Sequence, residues 1–341
     1  MTSSWGDGQT LGARSSVRDV LVDAERRLER AGVPSPSFDS GEILAFVLGT
    51  TRSRLLLLDE VTDEQKVRIE QLLAQRLSRV PLQHLLGTAA FRRIDLQVGP
   101  GVFIPRPETE LVTEAAIRAL GGETSQVAVD LCSGSGAIAL SLGLEVPGVD
   151  VHAVESDDEA ISWTRRNVDD HAERLAKVGS SVTVHHGDAT TIADVGEPLA
   201  RLAGQVAVVV SNPPYIPAAM VPREPEVRDH EPSAALYGGD DGLDVIRGVA
   251  RAAAVLLQPG GLLVIEHADV QGVAAGSAGV PGVLESLLAD ADLAFRCAVP
   301  IGTPLFASVI DRTDLNGLPR FTMARRVGGD GMSPVSRENE S

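Results

Sequence analysis

The chain has 341 residues, 43% of them apolar, 23% charged and 3% aromatic, with a formal net charge of −17, enough apolar material for a sizeable core in one large or two medium domains. The acidic balance opposes broad contact with a phosphate backbone, which needs clustered Lys and Arg, and the two cysteines exclude a disulfide framework and fit a reducing cytoplasm. No apolar run nears the ~18 residues of a membrane span, and the polar, Gly/Ser-rich start to Arg14 lacks the apolar core of a secretion signal.

Residues 1–14 are expected to be a disordered tail. From 15 to 87 the spacing predicts a small helical bundle. Val17, Val20, Leu21, Ala24 and Leu28 fall on one helix face, and Gly32-Val33-Pro34 stops that helix. Further helices are predicted over 40–48 and 62–77, the latter opening on the capping box Thr62-Asp63-Glu64-Gln65. Residues 88–105 read as a bridging β-hairpin, alternating in Ile94-Asp95-Leu96-Gln97-Val98 and turning at Gly99-Pro100-Gly101. From 106 to 327 helix and strand alternate. Strands are predicted at 127–131, 151–155, 182–186, 206–211 and 262–266, with helices at 108–120, 137–144, 158–171 and 243–257. Residues 268–282 read as a loop, followed by a helix near 283–289 and closing strands within 295–310 and 320–326. Residues 328–341 are expected to be a disordered tail. This alternation predicts an α/β fold with a doubly wound, mostly parallel sheet that binds ligands outside the carboxyl ends of its strands.

The candidate chemistry falls at three such ends. After the strand 127–131 comes Cys132-Ser133-Gly134-Ser135-Gly136 and then a helix. The two glycines let backbone approach a ligand, and the helix start offers unpaired N–H groups. Glu155 ends the next strand about 20 residues on, where a carboxylate grips a ribose diol. NAD and S-adenosylmethionine both carry that diol. The third feature separates them: Asn212-Pro213-Pro214-Tyr215 follows the buried run 206–211. Each proline fixes its φ and lacks an N–H. The Asn212 oxygen and the neighbouring carbonyls can therefore take both hydrogens of an amide or exocyclic amine. Hydride transfer has no use for such a clamp, so the residues favour methyl transfer. Cys132 is read as a small residue packed under the loop rather than a nucleophile, because no His partners it. The His residues form no spaced metal set, and His185-His186 reads as structural. Arg92-Arg93 and Arg325-Arg326 are the candidates for a local basic patch, more simply read as strand-end charge.

Between Arg79 and Arg326 the chain resembles the protein-glutamine N5-methyltransferases that modify class 1 peptide chain release factors. The resemblance rests on residues 79–87 (Arg-Val-Pro-Leu-Gln-His-Leu-Leu-Gly), 103–110 (Phe-Ile-Pro-Arg-Pro-Glu-Thr-Glu), the Asp130–Gly136 loop and Asn212–Tyr215. Glu231-Pro232, Ala235-Leu236, Gly239, Asp241-Gly242-Leu243 and Glu266-His267 continue it. The resemblance implies a Rossmann-like fold with S-adenosylmethionine held by Cys132, Ser133, Gly134, Ser135, Gly136, Glu155, Asp188, Ala189 and Asn212. It implies a glutamine held by Asn212, Pro213, Pro214 and Tyr215, with Asn212, Pro213 and Tyr215 carrying catalysis. Arg106 either ties the hairpin to the sheet or lines the substrate entrance. Ala189 stands where some relatives carry an aromatic, Ala268 where glycine is usual, and 269–305 is longer than the pattern. The expected partner is a release factor that the helical region 15–87 docks or for which it only braces the fold. No metal, nucleic acid or membrane is expected, and a cytoplasmic monomer is favoured. Three alternatives stand beside this reading: adenine N6-methylation of nucleic acid, glutamine methylation of a ribosomal protein, and a donor-binding regulatory factor without turnover.

Overall fold

The computed structural model describes residues 15–121 and 125–328, and the chain divides into two compact units. One comprises residues 1–87 with 224–230; the other comprises 88–223 with 231–341. The expected tails, 1–14 and 328–341, lie outside the described residues apart from Gly328.

In the first unit a two-residue strand, β1 (Ser15–Ser16), leads into α1 (Val17–Arg30), then α2 (Pro36–Leu48), β2 (Glu60–Val61), α3 (Asp63–Leu77) and α4 (Leu82–Leu86). Ser16 caps α1 by accepting from the Asp19 N–H, and Pro36 opens α2 where a missing N–H does no harm. The capping box of α3 forms in both directions between Thr62 and Gln65. Val17, Ala24, Leu28, Ile43, Leu44, Ile69 and Leu73 make one buried core, as their helical spacing predicts.

The second unit begins with a hairpin of β3 (Thr88–Phe91) and β4 (Ile94–Gln97). Its turn is Arg92-Arg93, not Gly99-Pro100-Gly101 as the sequence suggested. Arg92 sits at φ 50 because Glu110 accepts from its N–H while Glu114 and Glu145 accept from its guanidinium. Gly99 and Gly101 instead lie against Trp163 and Glu159, where a Cβ would meet those side chains at 2.6 and 2.1 Å.

The elements that follow are α5 (Thr109–Leu120), β5 (Val127–Leu131), α6 (Ala137–Glu145), β6 (Asp150–Glu155), α7 (Asp158–Val178), β7 (Ser181–His186) and β8 (Val206–Ser211). Next come α8 (Pro225–His230, in the first unit), α9 (Asp244–Leu256), β9 (Leu257–Glu266), α10 (Val280–Ser286), α11 (Ala291–Cys297), β10 (Phe306–Thr313) and β11 (Pro319–Arg326). Helix α7 runs seven residues past the expected end at 171, to the left-handed Gly179. Residues 268–282, expected as loop, form two 3₁₀ turns and the start of α10, and a helix, α11, occupies the start of an expected strand.

The seven strands lie in the order β10-β11-β9-β8-β5-β6-β7, parallel except at β11, which runs against both its neighbours. Val112, Ala116, Ile138 and Leu142 pack on one face of the sheet, and Ile246, Val249, Ala253 and Leu284 on the other. Burial on both faces is why β8 reads as an unbroken apolar run. The chain turns back across the sheet between β5 and β8, which opens a crevice over their carboxyl ends. Neither arginine pair makes a basic patch. Besides Arg92, the buried Arg326 donates to the carbonyls of Ala254 and Cys297, and Arg325 to that of Gly260.

Candidate functional site

The loop after β5 is shaped for close backbone approach. Cys132, Gly134 and Gly136 all have left-handed φ values of 66, 56 and 83. Space is open where a Cβ on Gly134 would point, whereas one on Gly136 would press on Thr164 at 3.1 Å. Helix α7 braces the loop from below: Thr164 Oγ1 donates to the Gly134 carbonyl at 2.6 Å and Asn167 Nδ2 to the Ser135 carbonyl at 2.9 Å. Asp130, beneath it, accepts from the Ala139 N–H at 3.1 Å, and burial pushes its carboxyl up to about 7. Burial also pushes the Cys132 thiol upward, reinforced by the Glu155 charge. A thiol held neutral beside a carboxylate is no nucleophile, so the packing reading of Cys132 agrees with its surroundings.

Glu155 ends β6 and accepts from the N–H groups of Gly134, Ser156 and Asp157 at 2.8, 2.8 and 2.9 Å. A carboxylate offers about four lone-pair sites, so it keeps capacity for a hydroxyl. With the open space over Gly134, these residues fit a ribose-bearing donor. Asp188 is exposed, with one oxygen taken by the N–H and hydroxyl of Thr190. The Ala189 methyl packs into the core with Ile192 and Leu131, so any contact there with an adenine belongs to its backbone.

At the end of β8, the adjacent strand, Ser211 donates to the Leu131 carbonyl at 2.7 Å, joining the roots of the two loops. Asn212 Nδ2 donates to Thr109 Oγ1 at 3.2 Å, which leaves its Oδ1 as the acceptor free of protein donors among the described residues. The Tyr215 hydroxyl donates to Glu266 at the end of β9 at 3.4 Å. Tyr215 O accepts from Gln271 at 2.9 Å, and Gly242 lies so close that a Cβ there would meet that oxygen at 2.2 Å. Gly238 crowds Pro214 O in the same way, at 2.5 Å. The proline turn is thus clasped by 238–242 on one side and by α5 and β9 on the other.

Arg106 donates to Glu231 at 2.6 Å and lies 5.0 Å over the Phe103 ring. Burial raises the Glu231 carboxyl above its usual range, against the pull of Arg106. Desolvation raises Tyr215, helped by the Glu266 charge, so the phenol stays protonated and serves as a donor. Gln271 and Arg320 were not singled out from sequence, and Glu231 entered only as part of the family pattern. Thr109 stood inside the stretch 103–110, but nothing in a linear pattern pairs it with Asn212, 103 positions away.

Fold and site together define an enzyme class that transfers a group from a nucleoside-bearing donor above the central strands of a doubly wound sheet. Residues 93–221 match the methyltransferase small domain family and residues 19–87 the PrmC N-terminal domain family. The release factor glutamine methyltransferase of Streptomyces coelicolor is 44% identical, the match covering 90% of this chain and 97% of that protein. Those of Mycolicibacterium smegmatis and Deinococcus radiodurans are 39% and 35% identical, over 91% and 92% of this chain and 98% and 99% of theirs. The chain belongs to the release factor glutamine methyltransferase family.

Proposed function

We propose that this protein transfers a methyl group from S-adenosylmethionine to the side-chain amide nitrogen of the glutamine in the Gly-Gly-Gln motif of class 1 peptide chain release factors. It acts in the cytoplasm, in support of translation termination. The observation that carries this reading is the open Oδ1 of Asn212, held by Thr109 at the end of the strand next to the glycine loop. When bound, the donor supplies an electrophilic sulfonium methyl. The amide nitrogen is a poor nucleophile, since its lone pair is delocalised, and the chain's own work is to position it. Asn212 Oδ1 and the Pro213 carbonyl take its two hydrogens, which aims the nitrogen and stabilises the positive charge it gains. Tyr215 supplies a flat ring for the amide plane, and Arg106, fixed by Glu231, borders the entrance. The excess proton leaves to water, with no strong base required beforehand.

The helical unit docks the release factor, because one glutamine offers too little area for selection. Support comes from Phe38, Phe46, Leu56 and Leu57, large apolar side chains 47 to 77% exposed on that unit. Among the described residues no helix is long and apolar enough to cross a membrane. The test is mass spectrometry of an unmethylated release factor, and of single-stranded DNA in parallel, after incubation with the protein and donor. One methyl on the glutamine of the Gly-Gly-Gln loop is expected. Methyl on adenine alone, or on neither, overturns the proposal.

A further inference from the structure

This inference rests on the role just given to Asn212 and concerns what decides which way its carboxamide faces. The two ends of that group are alike in shape, so hydrogen-bonding neighbours set the orientation. Asn212 Nδ2 donates to Thr109 Oγ1, which uses a lone pair of the hydroxyl and leaves its single hydrogen for another acceptor. Thr109 is buried, and so is Glu266, which is 1% exposed. Glu266 Oε1 takes the Tyr215 hydroxyl, while Oε2 is buried without a hydrogen-bond partner of its own. Burial lifts this carboxyl to about 7, and the Thr109 hydroxyl is the strongest of the influences opposing that rise. The other groups facing it are Arg320 on β11, which lowers it, Glu108 beside α5, which raises it, and Tyr215.

We propose that Glu266 is a positioning residue: its carboxylate claims the Thr109 hydrogen, obliges that hydroxyl to accept from Asn212 Nδ2, and so turns Asn212 Oδ1 toward the substrate amide. Tyr215, held on the second oxygen of the same carboxylate, fixes the far end of the turn. A protonated Glu266 becomes a donor. The Thr109 hydroxyl then reverses, and Asn212 presents an NH2 that opposes the NH2 of the substrate. One buried carboxylate therefore sets the polarity of the amide clamp without touching the reacting atoms.

The experiment measures kcat and KM for an unmethylated release factor from pH 5.5 to 9, with donor binding by calorimetry, for the full-length wild type, Thr109→Val, Thr109→Ser and Glu266→Gln. The wild type is expected to lose kcat on the acid side with an apparent pKa of about 7. Thr109→Val is expected to lower kcat about tenfold or more with donor affinity unchanged, and Thr109→Ser to restore most of that loss. Glu266→Gln should be slow at every pH, with the acidic limb gone. Equal behaviour of the Val and Ser variants, or wild-type kcat in Glu266→Gln, overturns the proposal. If Glu266→Gln does not fold, the Val and Ser pair decides alone. A wild type that methylates no glutamine at any pH takes down both this inference and the function it rests on. An active wild type with an indifferent Thr109→Val takes down this inference only.

Discussion

Glu266 is a liability to the fold. Its folded pKa of about 7 lies above the ordinary 4.5, so the folded chain holds this proton more tightly than the unfolded chain does. The stability that goes with it is complete below about 4.5 and is lost as pH rises through about 7. The shift corresponds to on the order of 3 kcal/mol. Glutamine keeps the shape and carries no charge. Glu266→Gln is therefore expected to melt above the wild type at pH 8, with the gap closing toward pH 5. A gap of the same size at both pH values means that folding does not raise this carboxyl above its unfolded value. Asn212→Ala makes the complementary case, since its side chain is half-exposed and supports little packing. It is expected to reduce kcat by about 100-fold or more while donor affinity by titration stays within about threefold. A loss confined to donor binding removes Asn212 from the amide clamp.

At the scale of elements, one buried side chain joins the hairpin to the donor loop. Asn167 on α7 accepts from the Gln97 N–H at 2.7 Å and donates to the carbonyls of Gln97 and Ser135, both at 2.9 Å. Removing it strands three backbone groups, each worth about 1–3 kcal/mol when left unsatisfied. Asn167→Ala is expected to destabilise the fold by about 3 kcal/mol or more in denaturant unfolding and to weaken donor binding. Asn167→Asp should be worse than Ala, because it sets an oxygen against two carbonyl oxygens. Asp no worse than Ala means that Nδ2 does not hold both carbonyls. The sheet was legible because β5, β6, β8 and β9 are buried on both faces and read as apolar runs, and because glycines and prolines punctuate their ends. The hairpin turn was misplaced because Gly99-Pro100-Gly101 is the stronger local signal. The actual turn, Arg92-Arg93, is imposed by three glutamates 18 to 53 positions away. Helix α11 was hidden because its short pattern runs straight into the apolar stretch before β10. Asn167 carried no signal at all, and Thr109 only its place in the stretch 103–110, since their partners come from elements that only the fold brings together.

For the molecule as a whole, the informative stretch is the seven residues 224–230. The chain leaves the second unit soon after the proline turn, spends those residues in the first, and returns at Glu231, which holds Arg106. Within the first unit Glu226 accepts from Arg76 at 2.8 Å and from Arg79 twice at 2.7 Å, while Arg76 also pairs with the buried Asp39. Burial pushes the Glu226 carboxyl up, but the bonds from Arg79 and Arg76 outweigh it and bring it down to about 2. Its contribution to stability is therefore present above the unfolded 4.5 and lost only as pH falls through about 2. The clamp stays closed throughout the window in which Glu266 titrates, so activity lost on the acid side of neutrality does not come from it. Limited proteolysis should find 224–230 equally protected at pH 5.5 and 8 in the wild type, and cut at both in Glu226→Ala. If the helical unit docks the release factor, that variant is expected to lose kcat/KM on the whole protein about tenfold while a short Gly-Gly-Gln peptide is methylated as before. Equal losses on both substrates mean that the unit braces the catalytic fold instead, because a peptide too short to reach the docking surface can register only damage to the site itself.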